Sequence, residues 1–267
     1  MKTMKHTKKL IPAIGMLLLS ASMLVTSTFA WFSMNTTVEA TGMQVSAVTD
    51  QVFLQIVKDG GTFQNGQIQS VASPDINTTD KLAAVNIYTD DTAQTEFTGG
   101  NGTYVWLTTA SKNPALSEKD TERDWAVVED STLTKYAYKT SYDLRLDPTA
   151  GSVAGGRLKV TGVSFPANNT YSDHAISGAV SVLVVCKFNN VTMSCVYKQT
   201  TAGTFAAKGN DYLMAEGEKF PASTTKEDKL VEVDVYVFFD GSHSACTTNN
   251  ATAAKDKFFS VSVGFAI

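Results

Sequence analysis

Only two histidines, His174 and His243, follow the first 30 residues of this 267-residue chain. Few positions could therefore support catalysis or metal binding by histidine. His243 lies in DGSHSAC, between Asp240 and Cys246. A histidine, a cysteine and an aspartate this close in sequence could form a nucleophile or a metal site. The segment is equally typical of a polar loop after a strand, which is the interpretation we favour. His174, in the polar segment NNTYSDHAIS, is expected to be solvated.

Other catalytic and metal motifs are missing from the sequence. It contains no HExxH, no C-x-x-C pair, no P-loop and no G-x-S-x-G elbow. The oxygen-rich segments Thr89–Asp91 and Asp228–Asp234 could bind calcium, but they lack the EF-hand spacing. We therefore predict that the chain is not an enzyme and has no catalytic residue, cofactor or metal site.

Cys186, Cys195 and Cys246 allow at most one intramolecular disulfide. The first two flank a predicted hairpin, SVLVVCKF-NNVT-MSCVYK. A four-residue loop Asn189–Thr192 would place Cys186 opposite Cys195, where a disulfide can form. A tight Asn189–Asn190 turn would place them diagonally and too far apart. The alternative to any disulfide is that all three thiols are buried as small apolar side chains.

Strict alternation of apolar and polar residues predicts strands at 135–146, 230–239 and 257–267. Residues 178–188 are apolar on both sides, as expected for a central strand. Weaker strand patterns occur at 43–48, 51–57, 82–88, 103–108, 125–129 and 157–164. Long polar connections are predicted at 58–80, 89–102, 108–124 and 199–228. We predict an all-β fold, an antiparallel β-sandwich of jelly-roll type with long decorating loops.

The N-terminus has the features of a targeting segment. Residues 1–9 are basic, and residues 10–30 are apolar with small residues toward the end. Thr28 and Ala30 fit the cleavage positions of a signal peptide, so we expect cleavage between Ala30 and Trp31 and a single domain over 31–267. The alternative is an uncleaved helical anchor that crosses the membrane through residues 10–32. Either interpretation places the remainder of the chain outside the cell, secreted or on the surface.

Composition and charge narrow the classes of partner. The formal net charge is −4, and the chain has only three arginines. It therefore lacks the basic surface that nucleic acids and anionic lipids require. Aromatic residues make up 10% of the chain, which argues against intrinsic disorder. Six N-x-S/T sites occur, but a sequence this rich in Asn and Thr generates such sites by chance.

Both ends of the chain resemble a known class of exported protein. The junction STFAWFSMNTTVEATGMQVSA (27–47) is similar to the export junction of Gram-positive fibre proteins of the TasA/camelysin type, and more closely to a group of clostridial surface proteins. VEVDVYVFFDGSHSACTTNN (231–250) and the final strand at 258–265 also resemble that group. The resemblance implies a jelly-roll sandwich and a role in extracellular fibres, a biofilm matrix or the cell envelope. Some camelysins are described as metalloproteases, but this chain lacks a zinc signature.

These observations predict a non-catalytic structural subunit whose partners are further copies or other surface proteins. Met43, Val45 and Ala47 alternate with polar residues and could form a strand donated to a neighbour, or one that pairs within its own subunit. The alternative function is an adhesin or a carbohydrate-binding module with a glycan as partner. In that case Trp106 and Trp125 would be the candidates for an aromatic platform, although both suit ordinary core packing.

Overall fold

The part of the chain that the computed structural model describes is built mainly of β-strands that pair through their backbones. That part comprises residues 44–49, 54–64, 67, 69–72, 82–92, 94–108, 126–147, 156–166, 175–201, 203–221, 231–246, 250 and 260–267. All of these residues belong to one compact unit, 41–267. The expected cleavage site at Ala30 and Trp31 and the predicted N-terminal helix lie outside the described residues.

Fourteen strands and two 3₁₀ helices occur among the described residues. The strands are β1 (Gln44–Thr49), β2 (Leu54–Lys58), β3 (Val71–Ala72), β4 (Asn86–Tyr88), β5 (Gly99–Gly100), β6 (Val105–Thr108), β7 (Ala126–Val127), β8 (Ala137–Leu146), β9 (Lys159–Ser164), β10 (Val180–Phe188), β11 (Val191–Thr201), β12 (Thr204–Ala207), β13 (Val231–Phe239) and β14 (Ser260–Ala266). The 3₁₀ helices are Asp130–Lys135 and Ala175–Ala179. Within the described residues, no helix is long and apolar enough to cross a membrane.

Eleven strands form one large sheet in the order β2-β8-β13-β10-β11-β12-β9-β14-β1-β3, with β5 paired to β11 beside this path. The pairs between these strands are antiparallel except for β1 with β14, which is parallel. The two ends of the sheet meet, because the Ile56 amide in β2 donates to the Gln69 carbonyl, 2.8 Å away. The sheet therefore nearly closes on itself, and the predicted all-β antiparallel sandwich is confirmed.

Alternate residues of the long strands fill the main core between the halves of the folded sheet. β13 places Val231, Val233, Val235 and Val237 inward with at most 1% exposure. The inward residues of β8 and β14 are Tyr142, Leu144, Leu146, Val261, Val263 and Phe265. In each of these strands the inward residues are apolar members of the alternating pattern that predicted the strand.

A second core lies on the outer face of the large sheet. It is covered by a small sheet of order β4-β6-β7. Its buried residues are Val85, Ile87, Phe97, Trp106, Val128, Ala137, Leu183, Val185, Val196 and Phe238. β10 is therefore buried on both faces, because Val182 and Val184 enter the main core and Leu183 and Val185 enter the second. This explains why residues 178–188 are apolar on both sides.

The outer face of β2 and β8 carries a buried polar network rather than an apolar layer. Nε of Arg145, which is 1% exposed, donates to Oε1 of Gln55 at 2.8 Å. The Gln55 amide donates in turn to the carbonyls of Gln64 and Gln67 at 2.8 and 2.7 Å. The Arg145 guanidinium lies 4.4 Å from the centre of the Phe63 ring. The loop after β2 thus covers this face and satisfies the buried polar groups.

Three short strands lie inside segments that the sequence predicted as loops. β3, β5 and β12 contain only two to four residues each. The pairing of β5 with β11 requires a glycine at position 99. Gly99 has φ 98°, and a Cβ there would lie 2.7 Å from the Ser194 carbonyl oxygen. Only glycine allows this close approach of β5 to β11.

Candidate functional site

A cluster of charged side chains lies on the outer face of the large sheet, next to the small sheet. Nζ of Lys198 is 2.6 Å from Oδ2 of Asp240 and 2.6 Å from Oε1 of Glu96. The side chains of Lys198 and Asp240 are 19% and 4% exposed, whereas that of Glu96 is 43% exposed. We call these three residues the Lys198 cluster. One ammonium group thus contacts a buried carboxylate and an exposed one.

Three adjacent strands position Lys198 and Asp240. Lys198 in β11 pairs with Ser181 in β10, and Ser181 pairs with Phe238 in β13. Asp240 follows β13 directly, and its amide donates to the Ala179 carbonyl at 2.8 Å. The Lys198 side chain therefore reaches diagonally across β10, where the small Ser181 side chain leaves room for it.

Glu96 reaches the cluster from the segment between β4 and β5. It forms an isolated antiparallel bridge with Tyr88 of β4, and the next amide, that of Phe97, donates to the Ile87 carbonyl at 3.1 Å. On the other side, Gly99 pairs with Cys195 of β11. Pairing on both sides fixes the backbone around Glu96, so its carboxylate faces Lys198.

The second oxygen of Asp240 has its own donors. Oδ1 accepts hydrogen bonds from the backbone N–H of Ser242 at 2.9 Å and from its hydroxyl at 2.5 Å. The same Ser242 N–H also lies 3.1 Å from Oδ1 of Asn86. Each oxygen of the Asp240 carboxylate is therefore hydrogen-bonded, with Lys198 at Oδ2 and Ser242 at Oδ1.

These contacts hold the Lys198–Asp240 pair in its charged form. Burial by itself would raise the pKa of Asp240, but Lys198 and the Ser242 hydrogen bonds lower it below the ordinary value. Burial likewise opposes charge on Lys198, but Asp240 and Glu96 raise its pKa above the ordinary value. Burying two charges costs free energy that their attraction only partly offsets, so such a pair is not explained by stability alone.

Among the described residues, Asp240, His243 and Cys246 do not come together as a metal site. Asp240 is occupied by Lys198 and Ser242, and Nδ1 of His243 accepts a hydrogen bond from the Ala245 amide at 3.1 Å. Burial raises the pKa of Cys246, which keeps the thiol protonated. The polar-loop interpretation therefore fits the observed geometry. His174 lies outside the described residues.

The hairpin of Cys186 and Cys195 has the tight turn. Asn189 and Asn190 both have positive φ, 49° and 62°, as a two-residue primed turn requires. Cys186 then pairs with Met193 and Cys195 with Val184. The cysteines are diagonal, and Cys186, Cys195 and Cys246 are all free. The candidate disulfide is not formed in this structure, because the four-residue loop on which it depended is absent.

The one candidate for an aromatic platform among the described residues, Trp106, does not lie at the surface. Trp106 is 5% exposed and packs edge-on against Phe238, with ring centres 5.1 Å apart. Tyr104 and Tyr236 pack against it at 6.0 and 5.8 Å. Trp106 is thus a core residue of the second layer, and Trp125 lies outside the described residues.

The two candidate calcium-binding segments, Thr89–Asp91 and Asp228–Asp234, do not form a metal site in the described part of the chain. Both Asp90 oxygens accept hydrogen bonds from the neighbouring residues Thr89 and Thr92. Residues 231–234 belong to β13, and 228–230 lie outside the described residues. Among the residues described, no group of three or more His, Cys, Asp or Glu side chains could hold a metal ion.

The candidate donor strand pairs along its whole length with the last strand of the chain. β1 pairs in parallel with β14, with Val45 opposite Val261 and Ala47 opposite Val263. In the described part of the chain, its other edge pairs with the two residues of β3. Met43 lies outside the described residues. An open groove of about 440 Å³ is lined by Ile56–Lys58 of β2, by Gly61 and Thr62, and by Gln69–Ala72 at and before β3.

Comparison with protein-family models, curated proteins and solved structures gave no significant match. The resemblance of the chain ends to fibre proteins therefore rests on the quoted residues alone. Sequence reasoning missed Lys198 and Glu96, since neither belongs to a motif and they lie 102 positions apart, 96 against 198. The only signal was a lysine at the end of the predicted hairpin, and that does not identify its partners.

Proposed function

We propose that this chain is a non-catalytic structural subunit of the bacterial cell surface or extracellular matrix, which assembles into fibres by exchange of β1. In the free subunit β1 pairs with its own β14. In the fibre the same strand would instead pair with the sheet of a neighbouring subunit. Repeated head to tail, such a contact does not close and produces a filament.

The observation that carries this proposal is the pairing of β1, which runs parallel to β14 along its length and meets β3 at two positions. Parallel pairing is slightly less stable per residue than antiparallel pairing, and among the described residues the opposite edge of β1 pairs with β3 at Ala47 and Val48 alone. Removal of β1 would expose the edge of β14, whose Val261, Val263 and Phe265 are almost fully buried in the main core. Such an edge readily accepts another strand.

The first test is a pair of deletions. Deletion of residues 31–42 should leave a folded monomer but reduce polymerisation, because the tether that reaches the neighbour is removed. Deletion through Val48 should also expose the β14 edge and promote aggregation. Negative-stain microscopy and sedimentation distinguish monomers, filaments and aggregates. Filaments of normal length from the 31–42 deletion would contradict strand exchange.

A sharper test locks β1 into its own subunit. Ser46 and Ser262 are partners in the β1–β14 register, so Ser46→Cys with Ser262→Cys can be oxidised to a disulfide. The oxidised protein should form no filaments, and a reductant should restore them. The matched control is a disulfide between Lys187→Cys and Glu232→Cys, at exposed partner positions in β10 and β13. These two strands stay paired during the proposed exchange, so this disulfide should not affect filament formation. Equal filament formation by the oxidised and reduced Ser46/Ser262 variant would refute the exchange.

A further inference from the structure

The Lys198 cluster brings an amine, a carboxyl group and a second carboxylate into direct contact. Nζ of Lys198 lies 2.6 Å from Oδ2 of Asp240, and the carboxyl carbon is one bond beyond that oxygen. Oε1 of Glu96 lies 2.6 Å from the same nitrogen. We propose that Lys198 and Asp240 condense into an intramolecular amide bond in the folded protein, with Glu96 as the catalytic base.

The reaction balances without any further reactant. One proton passes from Nζ to Oδ2 along their hydrogen bond, which turns the ion pair into an amine and a carboxylic acid. Nζ then attacks Cγ of Asp240, while Glu96 accepts a second proton from the nitrogen. Glu96 delivers this proton to the Oδ2 hydroxyl, which leaves as water. One C–N bond forms and one C–O bond breaks. Of the three protons of the Lys198 ammonium group, two leave in the water and the third stays on the amide nitrogen.

Ser242 is placed to stabilise the intermediate of this reaction. Negative charge develops on Oδ1 of Asp240 when the nitrogen attacks. The backbone N–H and the hydroxyl of Ser242 already donate to that oxygen at 2.9 and 2.5 Å. Donors fixed in this way need no reorganisation during the reaction, and this is a large source of rate enhancement in acyl transfer. Ser242 thus acts as an oxyanion hole in the proposal.

The fold also supplies proximity and a driving force. Both reacting residues are held by strands that flank β10, so the reaction is intramolecular and the groups are already oriented. The Asp240 side chain is 4% exposed, and a buried ion pair carries a desolvation cost that a neutral amide avoids. Glu96 is partly exposed, which gives the released water a route to solvent.

A second lysine–aspartate pair provides a natural comparison. Nζ of Lys139 is 2.9 Å from Oδ2 of Asp234, but the Lys139 side chain is 45% exposed. The Ser141 hydroxyl donates to the other oxygen of Asp234, Oδ1. Among the described residues Lys139 forms an ion pair with Asp234 alone, so it has no second carboxylate beside it that could serve as a base. We therefore expect Lys139 and Asp234 to remain an ordinary ion pair.

The test is intact-mass spectrometry of the full chain under denaturing conditions, for the wild type and for Lys198→Arg. The mass difference should exceed the Lys-to-Arg difference by one water, and any processing of the N-terminus cancels in the comparison. Proteolysis of the wild type should release a branched peptide that joins the segments of Lys198 and Asp240. A wild-type mass that retains the water would overturn the proposal, whether or not the variants fold.

Further variants assign the roles. Glu96→Gln and Asp240→Ala should both abolish the loss of water. Lys139→Arg should leave the loss of water intact, as should Lys208→Arg, which replaces a lysine only 3.9 Å from Glu96. Loss of water that persists in Glu96→Gln would overturn the role of Glu96. A branched peptide at Lys139 or Lys208 would overturn the choice of nucleophile.

Discussion

Burial decides the chemistry of the cysteines at the scale of single residues. Cys186 and Cys195 are fully buried in the main core. Burial raises the pKa of both thiols from 9.0 to about 12, with smaller effects of neighbouring charges. Since the thiolate is the reactive form, neither cysteine should act as a nucleophile at neutral pH. Cys246 is only partly buried, at the edge of the same core.

We predict that iodoacetamide labels Cys246 first in the native protein at pH 8. Cys186 and Cys195 should react only when the protein unfolds, because they are fully buried whereas Cys246 is only partly buried. Peptide mass spectrometry after timed labelling measures the three sites separately, and labelling in denaturant is the control in which all three should react. Native labelling of Cys186 at the rate of Cys246 would show that the main core is open.

The sequence predicted some of these residue environments and not others. It restricted Cys186 and Cys195 to two arrangements of one hairpin, but the choice depended on the backbone conformation of Asn189 and Asn190. Lys198 and Glu96 could not be paired from the sequence. Their contact depends on the two-residue strand β5, which the close approach of Gly99 to β11 makes possible.

At the scale of elements, the long strands were predictable and the short strands were not. Strands with one face in the main core must alternate, so β8, β13 and β14 appear directly in the pattern. Strands of two residues, such as β3 and β5, contain no period. Their positions depend on pairing with distant strands, which a local pattern does not contain.

We predict that Val235→Asp prevents folding. Val235 is fully buried in β13, and an unpaired carboxylate there should cost several kcal/mol of a total stability of about 5–15 kcal/mol. Phe265→Asp in β14 should act in the same way. Circular dichroism and urea unfolding measure the effect. A cooperative unfolding transition near that of the wild type for Val235→Asp would show that the inward face of β13 is wrongly assigned.

Matched variants separate the introduced charge from a general sensitivity of the strand. Val235→Thr keeps the shape and replaces one methyl group by a neutral hydroxyl, so it should weaken the protein less than Val235→Asp. Glu232→Ala, on the exposed side of the same strand, should change the unfolding free energy by only about 0.5 kcal/mol. His243→Ala should also have a small effect, since its ring is only partly buried.

At the scale of the whole molecule, the large sheet carries two cores, and the Lys198 cluster lies at the border of the second. The apolar pattern of residues 178–188 predicted that both faces of this strand are covered. The pattern did not predict that the second cover is the small β4-β6-β7 sheet, because these strands are short and come from distant parts of the chain. The sequence of one strand is therefore enough to predict that both of its faces are buried. To identify the layer that covers each face, the contacts of the whole fold are needed.

The raised pKa values of the buried thiols predict how the stability of the whole molecule depends on alkaline pH. Above pH 9 the unfolded chain loses the protons of Cys186 and Cys195, whereas the folded chain keeps them up to about pH 12. Their contribution to stability is therefore complete below pH 9 and decreases as the pH rises. The unfolding free energy should decrease by about 1.4 kcal/mol per pH unit for each thiol in this interval.

Urea unfolding at a series of pH values from 8 to about 11 measures this slope, and a matched variant identifies its source. Burial also raises the pKa values of Tyr104, Tyr142 and Tyr236, so a part of the alkaline loss does not come from the thiols. Cys186→Ala combined with Cys195→Ala removes only the thiol part and should flatten the decrease that begins near pH 9. The later decrease, above the ordinary tyrosine pKa of 10.0, should remain. An identical pH dependence in the wild type and the double variant would mean that these thiols ionise equally in both states, which is incompatible with their burial in the main core.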